Sequence, residues 1–122
     1  MRARAALLVI LLALACHREK EDASRDAALK QTLTLLRSAI AAYQKDQGTY
    51  PSSLAVLVPR YLRRIPADPL TGSANWRVTT EESVTPSSDF TTGTAAASTS
   101  VVVDVNSAAP GADRNGTPYA NY

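Results

Sequence analysis

Between residues 25 and 47 the apolar side chains Leu29, Leu33, Leu36, Ile40 and Tyr43 recur in steps of four and three, while Arg37, Gln44 and Lys45 fall off that line. Such spacing returns to one side of a 3.6-residue repeat, and it predicts one long amphipathic helix with a core-facing stripe. A coiled-coil seam would need more heptads than this stretch holds. Upstream, Glu21 with Arg25 and Asp26 with Lys30 are acid-before-base pairs four residues apart, each worth only about 0.2–0.5 kcal/mol on a helix. Gly48 suits the left-handed residue after a helix end, and Pro51 forbids continuation.

Beyond that stop the pattern shortens. Ser52 or Ser53 can cap a short second helix over 54–58, closed by Pro59. Pro66 and Pro69, with Gly72 close behind, predict a turning loop that cannot enter a sheet interior. Trp76 and Val78 then alternate with Arg77 and Thr79, and a second alternation follows at Val101, Val103 and Val105. Both have the period of a half-buried strand. The Ser/Thr-rich residues 83–100 between them read mainly as a variable loop, with marginal edge strands as the alternative and a contact or glycan-acceptor surface at most, and the segment after Asn106 as turn chemistry. The expected fold class is α+β: a long N-terminal amphipathic helix packed on a small antiparallel sheet, with a short second helix and long loops. Leu33, Leu36, Ile40 and Tyr43 should face Trp76, Val78, Val101, Val103 and Val105.

The start of the chain follows another rule. Arg2 and Arg4 precede an unbroken apolar stretch over residues 5–15, which ends at Cys16 and gives way to the charged run HREKED. A basic start, an apolar middle and a small residue before the cysteine make an export signal, and the stretch is shorter than the roughly 20 apolar residues of a spanning helix. Its end, Leu-Ala-Leu-Ala-Cys, resembles the lipobox of bacterial lipoproteins, with Ala13 and Leu14 in swapped order. That resemblance implies cleavage before Cys16 and acylation of the cysteine by diacylglycerol and an amide-linked chain, more than one hydrocarbon chain and therefore a stable anchor. An ordinary secretory signal cut after Ala15 is the alternative, and it leaves a free thiol. The expected organisation is a lipoprotein signal peptide at 1–15, a lipidated Cys16 with a polar tether through residue 24, and a domain over 25–122. The tether residues can equally begin the helix.

Composition narrows the function. With 122 residues and 45% apolar composition the chain can build one small domain with a modest core. One cysteine excludes an internal disulfide or a Cys-rich zinc site. Removal of Arg2 and Arg4 with the signal reduces 13 basic residues to 11, against 11 acidic ones, so the formal +2 carries no argument for nucleic-acid binding. The basic cluster Arg60, Arg63 and Arg64, interleaved with Tyr61 and Ile65, reads as a solvated face.

The order of these pieces has a likeness. Tyr43, Gly48, Tyr50-Pro51, the 54–61 segment, Ile65-Pro66, Asp68-Pro69, Gly72 and Trp76 resemble the periplasmic part of the major pseudopilins of type II secretion (GspG type), relatives of the type IV pilins. Ser107, Gly111, Asp113 and Gly116 resemble that family's closing loop more loosely. The fold-defining set is Tyr43, Gly48, Tyr50, Pro51, Pro66, Asp68, Pro69 and Trp76. Pseudopilins carry a leader cleaved after Gly and a Phe-led apolar helix that packs in the filament core; this chain carries the lipobox-like signal and Cys16 instead, so the expectation is a retained domain without the polymerising segment. The resemblance also implies calcium in the closing loop, for which only Asp113 and Asn115 are weak candidates. One carboxylate is little negative oxygen for a hard dication, and an Asx-type turn is the plainer use of both residues, so no cofactor is expected.

Catalysis is not expected either. His17, the single histidine, lies outside 25–122, so no Ser-His arrangement can form there. Carboxylate pairing is conceivable between Asp68 and Asp104, but Asp68 sits between prolines in a turn where Asp commonly bonds its own backbone. No phosphate loop, zinc spacing or haem motif is present. The expected protein is a non-enzymatic, membrane-anchored lipoprotein, a structural or accessory component of a type II secretion or type IV pilus-related system. Its expected partners are the bilayer and proteins of that machinery, its place the outer membrane facing the periplasm or the cell surface. A free-standing lipoprotein binding module for an extracellular or periplasmic ligand is the alternative.

Overall fold

The stripe of leucines lies on α1 (Arg2–Gln47) in a computed structural model that describes residues 2–84 and 98–122. The helix is continuous through residues 17–24, so the charged run is helical and not an extended tether. It stops where the chain chemistry says it should: the Gly48 N–H closes the last turn on the Gln44 carbonyl at 2.8 Å, with Gly48 at φ 72°. Glycine alone tolerates that conformation without cost.

Leu29, Leu33, Leu36, Ala39 and Ile40 are all buried, and they meet Leu54, Leu57, Leu62, Val102 and Val105 in one core, with Tyr43, Tyr50, Tyr61 and Trp76 packed at its margin. Tyr43 and Tyr61 meet edge-on, 5.5 Å between ring centroids. The residues expected to form a second helix make only a 3-10 turn, Leu54–Leu57. Val58 is already extended (φ −94°, ψ 137°), because a residue before proline is pushed out of the helical region. Ser53 occupies the N-cap position without a side-chain hydrogen bond.

Two antiparallel strands, β1 (Arg77–Val84) and β2 (Ser98–Asn106), form the sheet. The fold is thus α+β, one long helix against a small two-stranded sheet, and the helix meets that sheet through β2. Both strands extend into the stretch expected as loop, at 83–84 and 98–100, while 85–97 lie outside the described residues. The first strand begins one residue after Trp76, whose indole N–H is held instead by the Pro66 carbonyl at 2.9 Å.

The expected inward set of the sheet needs correction. Thr79 pairs with Asp104 but Thr80 pairs with Val102, so Val103 is skipped by a bulge. An extra residue in one strand reverses the alternation beyond it. Val102 and Val105 therefore enter the core, Val101 is also buried, Val103 is half-buried, and Val78 is 39% exposed. On its other side β2 meets the main chain of another segment where the Val102 N–H donates to the carbonyl of buried Pro51 at 2.7 Å.

The loop over 66–73 is fixed by Asp68, which is fully buried. One carboxylate oxygen accepts the Leu70 N–H at 2.8 Å and the other accepts the Ser107 hydroxyl at 2.5 Å. Ser107 Oγ in turn accepts the Ala109 N–H at 3.1 Å. The turn expected at Asp68 is present, and it is tied across 39 residues to the exit of β2. Asp104, the other half of that conceivable carboxylate pair, is bonded to Arg37.

Candidate functional site

Where α1 passes the C-terminal segment, a cleft of about 440 Å³ opens between Ala23, Asp26, Ala27 and Lys30 of the helix and Asp113, Arg114, Asn115 and Tyr122. Its floor is organised by the turn at Asp113. One carboxylate oxygen accepts the N–H groups of Asn115 and Thr117, both at 2.8 Å, and the other accepts the Tyr122 hydroxyl. Gly116, at φ 80°, lets the chain reverse inside this turn.

Across the cleft, Asp26 accepts the Tyr119 hydroxyl at 3.0 Å. The Lys30 ammonium lies 4.8 Å from the centroid of the Tyr122 ring, within cation–π range. Tyr119 and Tyr122 meet edge-on at 5.8 Å. Asp26 and Lys30, expected to support each other along the helix, are thus spent on the C-terminal tyrosines; the ion pair found among the described residues is Arg37 with Asp104.

That pair belongs to a second clasp. Arg37 Nε donates to Asp104 at 2.8 Å, and Nη2 donates to the main-chain oxygens of Val105 and Tyr122 at 3.0 and 2.7 Å. With both side chains more than 40% exposed, the ionic part contributes little; the fork of donors fixes where the segment after β2 lies. Helical spacing marked Arg37 only as off the apolar line.

The electrostatics of the cleft follow from one bond. Donation by Tyr122, then the Thr117 N–H, holds the Asp113 carboxyl below its usual range. The same hydrogen bond, with burial and the Asp113 charge behind it, pushes the Tyr122 phenol up to about 12. Tyr119 is raised chiefly by burial and then by its bond to Asp26. The stabilisation from Asp113 is therefore complete above the ordinary value of 3.8 and disappears as pH falls through its lowered one. That from Tyr122 is complete below pH 10 and disappears as pH rises through about 12. An alkaline titration by tyrosinate absorbance should show Asp113→Asn moving one tyrosine's worth of signal from near pH 12 down toward 10. An unchanged titration would show that Tyr122 does not donate to Asp113.

Of the weak calcium candidates, Asp113 accepts three hydrogen bonds and Asn115 lines the cleft. Among the described residues no group of three or more His, Cys, Asp or Glu side chains comes together. Cys16 is free and exposed on α1 with His17 beside it. The fold-defining residues surround the core and the 66–73 loop, not the cleft. Arg60, Arg63 and Arg64 are all exposed. No helix among the described residues is long and apolar enough to cross a membrane.

Compared with known proteins, the chain matches no family model, no curated relative and no solved structure. The class the coordinates define is a long helix on a two-stranded antiparallel sheet, compatible with a pilin-like fold.

Proposed function

We propose that this chain is a non-enzymatic lipoprotein, anchored through Cys16, that presents a pseudopilin-like domain as a structural or accessory component of a type II secretion or type IV pilus-related system. The observation that supports it most is the flank of α1 before the cysteine. Leu8, Val9, Ile10, Leu11, Leu12 and Leu14 are between 57% and 68% exposed. A contiguous apolar surface of that kind marks a membrane or protein contact, and a signal that is cut away or held in lipid accounts for it. Cys16 follows it directly and is free, positioned to carry acyl chains. The helix-on-sheet layout, the Gly48 helix stop and the proline-locked loop before β1 support the likeness to pseudopilins. Function then rests on shape recognition near a membrane.

Intact mass and membrane fractionation, beside Cys16→Ser, test the reading. A mature chain that begins at Cys16 with acyl mass, and that moves from membrane to soluble fraction on substitution, is the expected result. An unacylated chain, or one recovered in filaments, would refute it.

A further inference from the structure

Strand β1 is little covered by the rest of the described fold. Arg77, Val78, Thr79, Thr80, Glu81 and Glu82 are all exposed, and the helix reaches the sheet through β2 instead. Among the described residues, no main-chain hydrogen bond reaches β1 from any element other than β2. Among the described residues its outer margin thus presents a row of N–H and C=O groups, the pattern to which another strand adds. Proteins commonly spoil such an edge with proline, lysine or a bulge. Residues 77–84 contain neither proline nor lysine, and the bulge lies on β2 at Val103. The exposed edge is regular over eight residues, ~26 Å of strand.

Its charges say what fits it. We infer that β1 pairs antiparallel with β1 of a second copy of this chain, about a two-fold axis at Thr79, to give a continuous four-stranded sheet. Residues directly opposite in an antiparallel pair lie on one face, so the axis must pass through a residue that faces itself. Centred on Thr79, the register sets Arg77 against Glu81 twice and Val78 against Thr80. Centred on Thr80, it leaves Arg77 without an acidic partner and puts Val78 against Glu82; centred on Glu81, it opposes like charges. Opposite charges facing each other across strands stabilise the pairing and like charges oppose it. The surface is then self-complementary, as a two-fold contact requires. This inference does not depend on acylation of Cys16.

The test uses the full chain with Cys16→Ser, so that an introduced cysteine is its single thiol. At Thr79→Cys the axis brings the two Cβ atoms to about 5 Å, within reach of mild oxidation or a short bis-alkylating reagent. At Glu82→Cys the two positions are ~20 Å apart along the strands. The expected result is covalent dimer at position 79, at least fivefold above position 82. Arg77→Glu should lower that yield and the added Glu81→Arg should restore it. Association through the apolar residues 8–14 would not distinguish positions 79 and 82. Equal yields at the two positions, indifference to charge reversal, or capture of a different protein at position 79 overturns the pairing, provided circular dichroism shows each variant folded.

Discussion

Leu36→Ala should lower the unfolding free energy by about 2–5 kcal/mol, the range for deleting a buried leucine and leaving a cavity behind. Leu36 has no exposed surface and sits between Leu33 and Ile40 on the one face of α1 that reaches the sheet. One helix, one 3-10 turn and one strand supply most of the core, so neighbouring atoms have few ways to collapse into the gap. Domains of this size hold only about 5–15 kcal/mol in total, and the loss is a large share of it. Leu35→Ala is the matched control. Leu35 is 52% exposed, and alanine is the better helix former, so the change should stay within about 0.5 kcal/mol. Urea unfolding followed by helix ellipticity and by Trp76 fluorescence would measure both. Similar costs at Leu35 and Leu36 would mean that the stripe does not face the core.

The second large effect lies at Asp68. Ser107→Ala removes the donor to a carboxylate oxygen that is fully buried, and it also removes the acceptor of the Ala109 N–H. An unsatisfied buried polar group costs about 1–3 kcal/mol, more where it is charged, so a loss of about 3 kcal/mol is expected. Asp68→Ala should cost a similar amount, because it strands the Ser107 hydroxyl and the Leu70 N–H. The double substitution should then cost clearly less than the sum of the two, since each single change already breaks the shared bond. Full additivity in a double-mutant cycle, or a Ser107→Ala cost below about 0.5 kcal/mol, would show that the loop over 66–73 is held by packing alone.

Local chemistry made some of this legible in sequence. The helix and its inward face follow from the spacing of Leu29, Leu33, Leu36 and Ile40, and its end from Gly48; the Asx-type turn follows from Asp113 before Asn115-Gly116. What sequence concealed depends on register or on distance along the chain. A bulge at Val103 has no compositional mark, so strict alternation chose Val103 where the core takes Val102. A four-residue turn between prolines looks like a helix until Val58 is seen to be held extended by Pro59. The cleft was half visible: Asp113 and Asn115 were candidates, but Asp26 and Lys30 were read as neighbours along the helix when their partners are tyrosines about 90 residues further on. Arg37 has a signal only in hindsight, as a long donor-rich side chain just beside the apolar line.

The bond from Val102 to Pro51 gives the sheet two unlike margins, one engaged by its own chain and one that no other main chain among the described residues meets. A ribbon that can be extended at both sides propagates without limit, the route by which strands become fibres. One whose second side is engaged by its own chain leaves no free side once two such copies join at their open margins. If β1 pairs with β1 of a second copy, both outer margins of the joined sheet are β2 strands, each already bonded to Pro51 of its own chain, and growth closes at two copies.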